Sequence, residues 1–129
     1  MPDVHRGCFT RRVIACKAVD VAWLVSDGTV LASAEVAANS GARRRGLIGR
    51  TCLDGAMVID PCRWIHTVGM KFAIDVAYLD ETGTVVKTSS MPRNRIAAPV
   101  WSARSVIEAE AGAFERWGLH VGISVEVRP

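Results

Sequence analysis

The sequence predicts a mainly β domain of the α+β kind, a compact antiparallel barrel-like sheet of about seven short strands with two short helices. Three stretches carry that prediction. Asp27-Gly28 lies between two Val- and Ala-rich runs, DETG (80–83) separates two further strand-like runs, and LHVGISVEV (119–127) alternates throughout. Asp-Gly between apolar runs signals a hairpin, because glycine takes the positive φ of a tight turn without steric cost. Unbroken alternation marks a half-buried strand, here with Leu119, Val121, Ile123, Val125 and Val127 on one face.

Residues 1–12 are polar, basic and aperiodic, which predicts a loose arm ahead of a domain over 13–129. Two strands follow, over about 13–25 and 29–37. In NSGARRRGLIGRT, Asn39 or Ser40 can cap a short amphipathic helix, which Gly46 and Gly49 limit to about two turns. GAMVIDP reads as a short buried strand that ends at Pro61. KFAIDVAYLDETGTVVKTSSM is the clearest hairpin, with Phe72, Ile74, Val76 and Tyr78 on one face. Residues 92–99 lack either period and read as a loop. RSVIEAEAG then reads as a strand, and GAFERWG as a helical turn closed by Gly118.

Composition excludes several classes. Half the residues are hydrophobic and 22% are charged, which is globular rather than disordered. No apolar run approaches the ~20 residues of a membrane-spanning helix, so no membrane insertion is expected. MPDVHRGCFTRR lacks the apolar core of a secretory signal, which sets a cytoplasmic location as the expectation. Cys8, Cys16, Cys52 and Cys62 form no CxxC pair, which argues against a zinc ribbon. All four read as free, mostly buried thiols in a reducing compartment. A net charge of +3 is too mild and too scattered for a dedicated nucleic-acid binder.

The candidate chemistry lies in HTVGMKFAID (66–75) and its surroundings. His66 and Asp75 could act as a general acid–base pair, and Cys62 could join them as a metal ligand. The competing reading has His66 and Thr67 tying down a turn, while Asp75 accepts backbone N–H or arginine hydrogen bonds. Met70 suits a core plug or the wall of a groove. Trp64 and Trp101 could be binding platforms, although their size favours the core. Arg50, after a Gly-rich turn, could pair with Asp75, while Arg43, Arg44 and Arg45 fan around a helix as a solvated face. Glu108 and Glu110 share one strand face without a third catalytic element. There is no Gly-rich phosphate loop, GxSxG elbow, HExxH or Walker lysine.

Taken in order, RRRGLIGRTCLDGAMVI, HTVGMKFAIDVAYLDETGTVVK, VIEAEAG and GLHVGISVEV resemble the domain of unknown function 192 family over about residues 20–127. Gly46, Leu47 and Arg50 fall on its first motif, and Met70 and Asp75 on its second. Glu108 and Gly112 fall on the third, Gly118 and Gly122 on the fourth. Ile48 replaces a common methionine, HTVGM replaces a more aromatic approach, and Ile123 replaces a usual aspartate. The resemblance implies a β-rich barrel-like fold and brings no established activity with it.

The expected function is non-catalytic binding of a small ligand or a protein partner. The expected cleft is framed by Arg50, His66, Met70 and Asp75, with Trp64 as a wall. A hydrolase with His66 as base and Asp75 orienting it is the alternative, and it needs the two within hydrogen-bond reach. Weak nucleic-acid binding through the arginines is the third reading, with steep salt dependence as its signature. No cofactor and no metal are expected.

Overall fold

The computed structural model describes residues 19–37 and 47–129. The elements in chain order are β1 Val19–Ser26, β2 Thr29–Ala37, β3 Ala56–Ile59, β4 Ile74–Leu79, β5 Val85–Met91, β6 Ser105–Glu110, α1 Ala113–Trp117 and β7 Glu126–Arg128. They form one sheet in the order β5-β4-β6-β3-β2-β1-β7. The expected arm over 1–12, the start of the first strand and the helix over 39–46 lie outside the described residues.

Mainly β architecture holds, with two corrections to the expected barrel. The sheet is mixed, because β2 and β3 run parallel while the other neighbouring pairs are antiparallel. One short helix, α1, is present among the described residues, at the expected GAFERWG turn. The sheet is also not closed. Among the described residues its two edges meet beside Gly83, through the isolated bridge Thr84–Ser124 and the bonds Val125 N to Gly83 O, Val85 N to Ile123 O and Gly122 N to Val85 O, at 2.8, 2.9 and 2.9 Å.

The open edge traces to residues 119–127, where the expected long strand does not form. Gly122 takes φ 102, a left-handed conformation that bends the chain, and only Glu126–Arg128 remain as β7. Leu119 and Val125 are still buried, whereas Val121 and Val127 are exposed. The Asp27-Gly28 hairpin forms as expected. Both residues have positive φ, 53 and 80, the signature of a turn whose twist matches the strands it joins.

Apolar residues cover both faces of the sheet, so β3 and β4 are buried along their whole length and show no polar alternation. The first face packs Leu24, Val58, Leu79, Ile107 and Phe114 with Ala34, Ala56, Ala77 and Ala109. Strand register places Ala34, Ala56, Ala109 and Asp75 in one row across four strands. Three short side chains in that row leave the depth in which α1 seats Ala113 and Phe114. The second face packs Met57, Ile59, Ile65, Met70, Ile74, Val76, Tyr78 and Val106, with Phe72 against it. The expected shared face of Phe72, Ile74, Val76 and Tyr78 is therefore present.

Candidate functional site

Two stretches that read as turn and loop pair with each other over the second face. Val100 N bonds Arg63 O, Ala97 N bonds Ile65 O, His66 bridges Ile96, and Thr67 N bonds Arg95 O, with N–O distances of 2.9, 3.2 and 2.7 Å for the three bonds. The result is an irregular antiparallel ribbon in which side chains alternate. Ile65 and Thr67 point inward and are buried, whereas Trp64 and Val68 are exposed and His66 is half-buried.

Thr67 fixes the ribbon. Its hydroxyl donates to Pro92 O at 2.7 Å and accepts from Arg95 N at 2.8 Å, and its carbonyl accepts from Asn94 N and Met70 N. With the side chain wholly buried, each of these bonds satisfies a group that would otherwise lose water without compensation. Asn94 Oδ1 takes Gly69 N at 3.2 Å, and Arg93 Nε donates to Met70 O at 3.1 Å. The outer row is set from below. The His66 ring lies 5.4 Å from that of Trp64, and His66 Nδ1 accepts from Val68 N at 3.2 Å.

The five residues expected to share one cleft do not converge. Trp64 and His66 touch. Met70 is in the core beneath them, with 2% of its surface exposed. Arg50 pairs with Glu35 through two bonds of 2.9 and 3.2 Å, which corrects the expected Arg50–Asp75 pairing. Asp75 faces the other side of the sheet, since β4 sends Ile74 and Val76 to the second face and residue 75 to the first. Its Oδ2 accepts Gly112 N at 2.9 Å and Phe114 N at 3.2 Å, anchoring the start of α1. The sheet therefore stands between His66 and Asp75, and the dyad of the hydrolase reading does not form.

Asp75→Ala strands two N–H groups at the start of a five-residue helix. We expect a loss of about 2–4 kcal/mol in urea-unfolding stability, with Asp75→Asn retaining part of it. No loss in the alanine variant would remove the anchoring role.

The tryptophans expected in the core are at the surface: Trp64 is 44% exposed and Trp101 75%. The cysteine reading also needs correction. Cys52 is disulfide-bonded, whereas Cys62 is free and half-buried. The all-thiol expectation rested on an assumed reducing compartment, which residue spacing does not encode, and disulfides persist in oxidising ones. Burial pushes the Cys62 thiol up, and its Sγ donates to Trp64 O at 3.2 Å. It lies in a shallow depression with Pro61, Arg63 and Arg104 at the foot of the ribbon. Another depression flanks α1, lined by Leu31, Ser33, Gly55, Ala113, Arg116 and Trp117.

Glu108 falls on the third motif and shares a strand face with Glu110, but nothing in the sequence marks it as the buried one of the two. It is 3% exposed on the second face, and its Oε1 is the buried side-chain atom without a hydrogen-bond partner among the described residues. Desolvation pushes its carboxyl up to about 7. Glu110, its companion on the strand, instead accepts Leu53 N at 3.0 Å. Among the described residues, no three His, Cys, Asp or Glu side chains could hold a metal ion. None of their helices is long and apolar enough to cross a membrane.

Residues 22–127 match the model of the DUF192 family, described as an uncharacterized ACR. No curated protein matches the chain. A protein of unknown function from Novosphingobium aromaticivorans has a similar structure, with TM-score 0.69, 18% identity and 84% of each chain covered. So does a proposed transcription regulator from Sinorhizobium meliloti, with TM-score 0.67 and 19% identity over 85% of this chain and 94% of that one. At such identities the likeness speaks for the fold alone.

Proposed function

The chain belongs to the DUF192 family, and from that premise we propose that it is a non-catalytic binding domain whose recognition surface is the outer row of the 63–70/93–100 ribbon. One observation carries the reading: Trp64, Val68 and Ile96 stand exposed around His66 on a backbone that Thr67 holds in place. Exposed apolar side chains are ordinary singly, but clustered on a rigid support they form the kind of patch that partners cover. Rigidity matters because a surface already in its bound shape loses less entropy on association. A protein partner is favoured over a small ligand, since Trp64, Val68 and Ile96 stand exposed along the ribbon rather than enclosed. No observation favours the hydrolase reading, with Asp75 engaged at α1 on the far face.

Backbone-amide NMR during titration with a peptide and fragment library tests the proposal. Shift changes are expected to centre on residues 64–68 and 93–96. Perturbations that centre instead on Arg116 and Trp117, beside the depression at α1, would move the surface to the other side of the sheet and end this reading.

A further inference from the structure

We infer that the partner is an acidic polypeptide segment with apolar side chains beside its acids. The inference rests on the ribbon being the recognition surface, and it adds the partner's chemistry. Residues 61–73 and 91–103 carry four cations, Arg63, Lys71, Arg93 and Arg95, and no Asp or Glu, although the chain as a whole has 13 acids. All four cations are exposed, and none forms an ion pair among the described residues.

Their placement follows from the pairing. Arg93 Nε holds Met70 O, which brings Arg93 beside Lys71 at one end of the ribbon. Arg63 Nε holds Ala103 O at the other end, at 2.9 Å. Arg95 adjoins Ile96, with its NH1 on Arg93 O and Asn94 O, both 3.3 Å. Each of these arginines uses part of its five-donor fork on a backbone carbonyl, which orients the group and leaves N–H donors for a carboxylate. Lys71 and Arg93 thus lie at one end of the row of Trp64, Val68 and Ile96 with Arg95 beside it, while Arg63 at the other end shares a depression with Asp80 and Glu81. The complement is a segment of about six to eight residues with apolar side chains followed by acids that meet the Lys71, Arg93 and Arg95 end. Val68 and Ile96 favour polypeptide over nucleic acid, because aliphatic side chains gain by packing against side chains and little from phosphates. Stacking on single strands calls for aromatic platforms in series.

Random-peptide display on the full chain tests this, followed by anisotropy titrations of the best-enriched peptides in low and physiological salt. Wild type is compared with Ile96→Ser and Lys71→Glu/Arg95→Glu, all checked for unchanged thermal unfolding. The expected peptides carry Asp or Glu beside apolar residues, bind more weakly as salt rises, and lose about tenfold in affinity to either variant. Enriched apolar peptides without acids, indifferent to Lys71→Glu/Arg95→Glu but weakened by Ile96→Ser, would overturn the acidic partner and leave the recognition surface standing. Peptides indifferent to both variants, or no enrichment at all, would overturn the surface as well. Tighter binding of a 20-nucleotide single strand, or of phosphatidylglycerol vesicles, than of the best acidic peptide would assign the cations to phosphate and overturn the inference.

Discussion

Glu108→Met is expected to stabilise the fold by about 3 kcal/mol at pH 8 and to flatten its stability between roughly pH 4.5 and 7. Burial raises the Glu108 carboxyl from 4.5 to about 7, because its charged form exchanges water for the side chains of the second face. Below about pH 4.5 the folded and unfolded chains both hold the proton, and the group is neutral to stability. Between the two values the unfolded chain releases its proton while the folded chain retains it, so stability falls as pH rises. Above about 7 the full difference is present, about 3 kcal/mol, since each pH unit between the two values costs roughly 1.4 kcal/mol. Methionine has a similar volume and no polar atom to leave unpaired, and register neighbours Met57 and Val76 offer it apolar contact. Urea unfolding of both proteins at pH 4.5, 6 and 8 measures the effect. Parallel pH profiles for variant and wild type would mean that Glu108 titrates normally, and the account of its burial would fail.

The readable parts of this fold are those where one local rule decides the outcome. Asp27-Gly28 specified its turn through backbone sterics, and the period-two pattern of 72–78 specified which side chains enter the second face. The same pattern turns Asp75 away from that face, and so already counts against a His66–Asp75 dyad. Elsewhere the decision is non-local. Residues 119–127 alternate as well as any strand, yet pairing and a left-handed Gly122 keep only Glu126 and Val127 of them in β7. The ribbon was not legible, because WIHTV has no apolar–polar alternation and its partner RNRIAAP shows no period and meets it only through tertiary contacts. Thr67 could not be recognised as the hub, because all its acceptors and donors but one lie more than twenty residues away. Partner choice among charges is likewise settled by register. Arg50 had three buried carboxylates within the fold to answer, Glu35, Asp75 and Glu108, and it answers Glu35.

That choice makes Arg50→Met the counterpart of the first prediction, with the opposite sign. Glu35, Met57 and Glu108 follow one another across β2, β3 and β6 in a single row of the second face. Both glutamates are buried, at 5% and 3% exposure, but only Glu35 has a cation. Removing Arg50 leaves a buried carboxylate with its two charge-assisted bonds gone, and a loss of about 2–4 kcal/mol is expected at pH 8. The lower end is favoured because the Arg50 side chain keeps 29% of its surface in contact with water. Glu35→Met/Arg50→Met removes the charge along with its partner and is expected to recover most of that loss, as buried pairs replaced by apolar side chains commonly do. The two glutamates stand two strands apart, roughly 10 Å, so the separate effects should add within about 0.5 kcal/mol. Arg50→Met/Glu108→Met should therefore return close to wild-type stability at pH 8, one change relieving a lone buried charge as the other creates one. A double variant no more stable than Arg50→Met alone would show that Glu108 is not the uncompensated charge of this core.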